Sequence, residues 1–153
     1  QSNHFDKLVG QIVAQLEKSG VRENTLVIFT GDNGTDSPVV TSWKGKSIAG
    51  GKGKASHDSG VRTPFFVTMP GTVQAGKVSD DLVDFSDLLP TFCELTKIDY
   101  SADQNLDGVS LMPSLTGKGK RNKPWSYLFY SRNDGSRKAS SVVVRNATHL
   151  VYR

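Results

Sequence analysis

Phe5, Leu8, Val9, Ile12, Val13 and Leu16 recur at helical spacing, with Lys7, Gln11, Gln15 and Lys18 on the opposite side. The pattern predicts an amphipathic helix that Ser19-Gly20 closes. After a short polar link the period changes. Thr25-Leu-Val-Ile-Phe29 is an unbroken apolar or β-branched run, the profile of a strand buried on both faces. Helix, short loop and buried strand form half of a βαβ unit, so a preceding strand is expected outside this chain. From Thr35 to Ser59 the pattern predicts no regular element. Arg62 to Met69 reads as a second buried strand after Pro64, ended by Pro70-Gly71.

A polar connection over 72–80 leads to a helix that Asp87 would cap, running to about Lys97. Leu88, Leu89, Phe92 and Leu95 would face inward, and Pro90 fits because it falls in the first turn, where amides lack helical partners. Leu106 to Pro113 is compact and turn-rich, and the basic run Gly117 to Lys123 reads as a solvated linker. Trp125–Tyr130, Ser140–Val144 and Thr148–Tyr152 then read as short strands joined by polar turns at Asn133-Asp-Gly135 and Asn146. The chain divides on this reading into residues 1–117, part of an α/β domain, and 118–153, the start of a small antiparallel-sheet subdomain.

Composition narrows the function classes. A chain of 153 residues is long enough for one core, and 15 glycines make its loops generous. The net charge of +4 carries no basic helix face and no aromatic stacking series, so a nucleic-acid partner is not expected. No apolar run approaches the length of a membrane span. The single cysteine, Cys93, excludes an internal disulfide, and its apolar and acidic neighbours make it a core residue rather than a nucleophile.

Two stretches carry candidate chemistry. Gly31-Asp-Asn-Gly34 ends the first strand, and in open α/β sheets ligands bind beyond the carboxyl ends of strands. Asp32 and Asn33 would deliver two hard oxygen donors there, a set suited to calcium or magnesium rather than zinc or copper; the same residues are also ordinary turn chemistry. Gly50-Gly-Lys-Gly53 lets backbone approach a ligand closely, and Lys52 and Lys54 could meet anionic oxygens. His57-Asp58 adds a titratable group with an acidic neighbour to orient it. The order Gly-Lys-Ser/Thr before a helix is missing, so this is not a phosphate-binding P-loop.

Together these stretches resemble a known family. Asn24-Thr-Leu-Val-Ile-Phe-Thr-Gly-Asp-Asn-Gly34 resembles the second metal-binding signature of the type I sulfatases, in the alkaline-phosphatase-like superfamily. Gly50-Gly-Lys-Gly with Gly60-Val-Arg-Thr-Pro64, Asp84-Phe-Ser-Asp-Leu-Leu-Pro-Thr91 and Asp107-Gly-Val-Ser-Leu-Met-Pro113 resemble further family stretches in the same order. The run from Val144-Arg145 to Tyr152 resembles the family's C-terminal sheet. The resemblance implies an α/β/α sandwich followed by a small antiparallel subdomain. It implies that Asp32 and Asn33 ligate one calcium ion and that Lys52 contacts the sulfate ester. One residue more than the family spacing lies between Lys52 and Arg62, so Lys54 takes that role if the register is shifted. Asp58 falls where the family often carries an acidic residue, and Arg62 and Pro64 would be structural. His57 has no matched counterpart and stands as a residue at the edge of the site.

The family's nucleophile is a formylglycine made within Cys/Ser-x-Pro/Ala-x-Arg. This chain has no such motif, since Cys93 is followed by Glu94-Leu95-Thr96. The chain therefore reads as the C-terminal portion of a sulfatase, inactive alone, whose partners are the missing N-terminal part of its own catalytic domain and a sulfated small molecule or glycan. The alternatives are a phosphatase or phosphonate hydrolase of the same superfamily and a non-catalytic sulfate- or anion-binding homologue. The resemblance implies an exported parent protein, periplasmic, secreted or lysosomal. Asn146-Ala-Thr148 is a glycosylation sequon that matters only in a eukaryotic secretory route.

Overall fold

The computed structural model describes residues 2–54, 56–100, 105–133 and 138–152. The sequence-predicted turn at Asn133-Asp-Gly135 lies in part outside these residues. Helix α1 (Ser2–Lys18) ends as predicted. Gly20 takes φ +69, its amide bonds Glu17 O at 3.0 Å, and the Val21 amide reaches Leu16 O at 3.1 Å. This crossed pair satisfies carbonyls that the last helical turn leaves open, and glycine takes the left-handed backbone without a Cβ penalty. Val9, Val13 and Leu16 are half-buried, whereas Phe5, Leu8 and Ile12 are exposed to solvent.

Strand β1 (Val27–Thr30) follows a short 3-10 turn, Arg22–Asn24. It pairs with β4 (Phe65–Thr68) in antiparallel register, Val27 opposite Thr68 and Thr30 opposite Phe65. This corrects the expectation of a strand buried on both faces, because all four residues of β1 are half-buried. In β4, Phe65 and Val67 turn inward while Phe66 and Thr68 are exposed, the alternation of a sheet covered on one side.

The stretch from Thr35 to Ser59, expected to be irregular, contains a hairpin. Strands β2 (Val40–Trp43) and β3 (Lys46–Ala49) pair antiparallel around Lys44-Gly45, whose φ angles are 50 and 76. Two successive positive φ values are the mark of the two-residue hairpin turn whose twist matches that of its strands. Lysine is unusual at the first of these positions, which is why the turn was not legible in the residues. Helix α2 (Asp58–Val61) is a single turn that leads into β4.

Three further expectations are corrected between residues 84 and 123: the cap, the solvated Arg121 and Lys123, and the inward Leu89 and Phe92. Asp84, not Asp87, is the capping residue: its side chain accepts the Ser86 amide, and the Asp84 amide donates to Asp87 Oδ2 at 3.0 Å. The 3-10 turn Phe85–Asp87 runs directly into α3 (Leu88–Thr96), so the cap sits one turn earlier. Asp87 is instead fully buried and bonded to Arg121 Nη2 at 2.5 Å, Lys123 Nζ at 2.6 Å and the Val109 amide at 2.8 Å. The side chains of Arg121 and Lys123 are therefore 1% and 6% exposed, not solvated as the basic run implied. On α3 the inward residues include Pro90 and Thr91, with Leu88 and Leu95 half-buried, while Leu89 and Phe92 are exposed. Cys93 is half-buried and unpaired.

Thr91 Oγ1 donates to Asp87 O at 2.6 Å and accepts the Leu111 amide at 2.8 Å, joining α3 to α4 (Met112–Thr116). Leu111 and Met112 form the apolar core with Met69 and Val143. Strands β5 (Ser126–Asn133), β6 (Lys138–Arg145) and β7 (Leu150–Tyr152) form an antiparallel sheet in that order. The Asn146 side chain accepts the amides of Thr148 and His149 and so shapes the turn between β6 and β7.

Candidate active site

The site is built from three loop segments held together by backbone bonds. Beyond β1, the Gly34 amide donates to Gly60 O at 2.9 Å. The next residue, Thr35, offers its carbonyl to the amides of Gly51, at 3.0 Å, and Lys52, at 2.9 Å. Lys54 N closes a turn onto Gly51 O at 2.8 Å, and Gly60 N bonds His57 O at 2.9 Å. The three segments approach more closely than side chains allow. A Cβ on Gly34 would stand 2.1 Å from Ser59 O, and one on Gly60 would stand 2.4 Å from both Gly51 O and Lys54 O. Glycine is required at these crossings for space, whatever its backbone angles.

Asp32, Asn33, Lys52 and Lys54 all line an open cleft of about 1270 Å³. Asp32 and both lysines are exposed, and Asn33 is half-buried. Phe65, Phe66 and Val67 of β4 line the cleft as well, with Asp81 and Asp84. The arrangement offers an oxygen-donor pair and two ammonium groups to one volume. His57 is not among the lining residues; it is exposed, with Nδ1 3.1 Å from Ser56 Oγ. The structure thus brings together four of the five candidate residues and leaves His57 apart.

Among the described residues no three His, Cys, Asp or Glu side chains gather as a metal cluster. Asp32 and Asn33 are adjacent hard oxygen donors, which suits a calcium-type ion and supplies part of the six to eight ligands such an ion takes.

Arg145 also lines the cleft, and the residues gave no role for it beyond the C-terminal sheet. Its Nη1 donates to Asp58 Oδ1 at 2.8 Å, across 87 positions of sequence, and its Nε is buried without a partner among the described residues. The pair links the end of β6 to the turn that carries Gly60. Only tertiary pairing reveals it, since neither residue has a spacing signal.

Two acids of the cleft have lowered pKa values. A hydrogen bond from Ser114 holds Asp81 below the usual carboxylate value, against the opposing effect of burial. Burial pushes Asp84 up, but bonds from Lys123, Ser86 and Ser126 and the charge of Lys123 outweigh it.

The sulfatase family model matches residues 2–98, and the model for the C-terminal region of N-sulphoglucosamine sulphohydrolase matches residues 53–151. N-acetylgalactosamine-6-sulfatase of Canis lupus familiaris is 32% identical over 133 residues, covering 85% of this chain and 24% of that protein. The uncharacterized sulfatase YdeN of Escherichia coli (strain K12) is 36% identical over 125 residues, covering 80% and 21%. The human steryl-sulfatase is 34% identical over 135 residues, covering 84% and 23%. The chain spans about a quarter of the length of the curated relatives it matches. Among solved structures, BT1596, a 2-O GAG sulfatase, superposes with a TM-score of 0.73 at 25% identity, over 95% of this chain and 30% of that one. The structure of BT4656 in complex with D-glucosamine-2-N,6-O-disulfate superposes with a TM-score of 0.72 at 20% identity, over 96% and 28%, a likeness of fold. The fold is the α/β alkaline-phosphatase-like one, and the two family matches span 2–98 and 53–151: the chain belongs to the sulfatase family and corresponds to its C-terminal portion.

Proposed function

We propose that this chain supplies the C-terminal part of the active site of a sulfate-ester hydrolase whose formylglycine nucleophile lies outside it. Asp32 and Asn33 ligate one calcium ion, and Lys52 binds the anionic oxygens of the sulfate ester, with Lys54 as the shifted-register counterpart. The observation that supports this reading is the pair of bonds from the Gly51 and Lys52 amides to Thr35 O, which ties the lysine turn to the residue two positions after Asn33. When bound, the calcium ion supplies positive charge that polarises a sulfate oxygen. The lysine ammonium, standing on a turn held by backbone bonds, stabilises charge that develops on the leaving oxygen without reorganising at the moment of reaction. The substrate is a sulfated small molecule or glycan, and the enzyme acts outside the cytoplasm. No helix among the described residues is long and apolar enough to cross a membrane.

The test uses the enzyme that contains this chain. Replacing Lys52 by Ala is expected to lower kcat for an aryl sulfate by about 10²–10³-fold, the cost of removing one preorganised donor. Replacing Asp32 by Ala is expected to lower calcium affinity, read by calorimetry on metal-stripped protein. An Asp32→Ala enzyme that binds calcium with unchanged affinity would overturn the metal assignment. A loss confined to Lys54→Ala would transfer the sulfate contact to that residue.

A further inference from the structure

The hairpin of β2 and β3 stands outside the cleft yet is rooted beside it. All eight strand residues are exposed, and none lines the cleft. At its base the Gly50 amide bonds Val39 O at 2.8 Å, directly before the Gly51 and Lys52 amides reach Thr35 O. The register places Trp43 opposite Lys46 and Thr41 opposite Ile48, so these four side chains share one face. At the tip, the Lys44 ammonium lies 5.6 Å from the Trp43 ring centroid, and the indole is still 65% exposed. From residue 37 to 57 the chain carries Lys44, Lys46, Lys52 and Lys54 and no acidic residue.

An isolated two-stranded hairpin is marginal in water, and among the described residues the indole beside the Lys44 ammonium, with Lys46 opposite in register, forgoes the burial that usually explains a tryptophan. The ligand that fits has flat apolar C–H faces to cover the ring and negative groups at short intervals to meet the lysines. A sulfated sugar chain has both. The hairpin extends roughly 13 Å beyond its root, at about 3.3 Å per residue, so the ligand must be longer than the single unit held in the cleft.

We propose that the Val40–Ala49 hairpin is a docking surface for a sulfated oligosaccharide, with Trp43 stacked on a sugar ring and Lys44 and Lys46 on its sulfate groups. The assignment rests on the sulfate-ester reading of the cleft, and it makes the substrate a polymer rather than a lone sulfated unit. Bound at the hairpin, the chain is led along the run from Ala49 to Lys52 toward the oxygen-donor pair.

The enzyme containing this chain is titrated calorimetrically with a sulfated hexasaccharide, the same hexasaccharide after desulfation, and a sulfated monosaccharide. Binding of the sulfated hexasaccharide is expected to weaken about tenfold in Trp43→Ala and about tenfold in the double variant Lys44→Gln/Lys46→Gln, each equivalent to about 1.4 kcal/mol. Monosaccharide binding and aryl sulfate turnover stay at the level of the unaltered enzyme. Trp43→Tyr, which keeps an aromatic face, restores most of the affinity and separates stacking from loss of the hairpin. Equal losses for hexasaccharide and monosaccharide, or none for either, overturn the proposal. So does a Trp43 that acrylamide cannot quench in the whole enzyme, which would show the hairpin covered by other protein. Tighter, equally Trp43-dependent binding of a single-stranded DNA of matched charge assigns the surface to nucleic acid and overturns it too. Hexasaccharide binding that persists without any aryl sulfate hydrolysis sinks the cleft reading alone, whereas hydrolysis with binding indifferent to Trp43 sinks the hairpin alone.

Discussion

Gly34 and Gly60 hold the candidate site together by lacking side chains. A methyl on Gly34 would stand 2.1 Å from a carbonyl oxygen that is part of the backbone and has no way to rotate aside. Gly34→Ala is therefore expected to destabilise by about 1–3 kcal/mol, the range for forcing extra volume into a packed site, and to displace Asp32 and Asn33 with it. Urea unfolding checks the first effect. Gly10 gives the opposite sign: it lies within α1, and a Cβ there meets nothing within 4 Å. Gly10→Ala is expected to stabilise by about 0.5–1 kcal/mol through helix propensity. A destabilised Gly10→Ala would contradict the described surroundings of α1. The residues themselves named Asp32, Asn33 and Lys52 as candidates, because oxygen donors at a strand end and a lysine among glycines are local signals. They did not name Arg145, whose meaning lies in Asp58, 87 positions away.

At the scale of elements, the connection after α4 is solvated over Gly117–Lys120, as the basic run implied, but closes in a buried ionic tie at Arg121 and Lys123. Asp87 accepts Arg121 and Lys123 with its carboxylate fully buried, and Lys123 also reaches Asp84 Oδ2 at 2.6 Å. Asp87→Ala removes the carboxylate that the buried Arg121 pairs with and leaves Lys123 with Asp84 alone, and it is expected to cost about 3–5 kcal/mol, measured as the fall in unfolding free energy. Asp84 adds a pH dependence. Its folded pKa lies below the ordinary 3.8, so the folded chain binds this proton less readily than the unfolded chain does. The stability it contributes is complete above the ordinary value and is lost as pH falls through the folded one. The unfolding midpoint in urea should drop as pH falls below the ordinary 3.8, and the drop should shrink in Asp84→Asn. An unchanged drop would remove Asp84 from the account. A run of lysine, arginine and glycine signals solvent when neighbours are unknown; here its destination was set by two acids more than thirty positions earlier.

For the whole molecule, the open surface is the salient fact. Phe5 and Ile12 on α1, Phe66 on β4 and Phe92 on α3 are 56%, 57%, 65% and 42% exposed. Only Met69, Leu111, Met112 and Val143 form the buried apolar core among the described residues. Asp32 and Asn33 are proposed as only part of a calcium ligand set, and no Cys/Ser-x-Pro/Ala-x-Arg motif occurs in the 153 residues. The isolated chain is accordingly expected to hydrolyse no aryl sulfate. Turnover by the purified chain, abolished by Asp32→Ala to exclude a contaminant, would place the nucleophile within these residues and reverse the proposed division of the site.

The sequence by itself determined the family, the helix and strand types of the long periodic segments, and the residue types at the strand end, because those signals are local: spacing, caps and glycines within a few positions. Tertiary structure decided what periodicity cannot encode. It set the antiparallel partnership of β1 and β4, since an apolar run states burial but not direction. It made a hairpin of the lysine-rich stretch, where Lys44 occupies a backbone conformation usually left to glycine or asparagine. It moved the cap from Asp87 to Asp84 and buried Asp87, because a carboxylate's role follows the cations that reach it. And it drew Asp32, Asn33, Lys52 and Lys54 to one cleft through bonds that converge on Thr35 and Gly60, a convergence in space between segments separated along the chain.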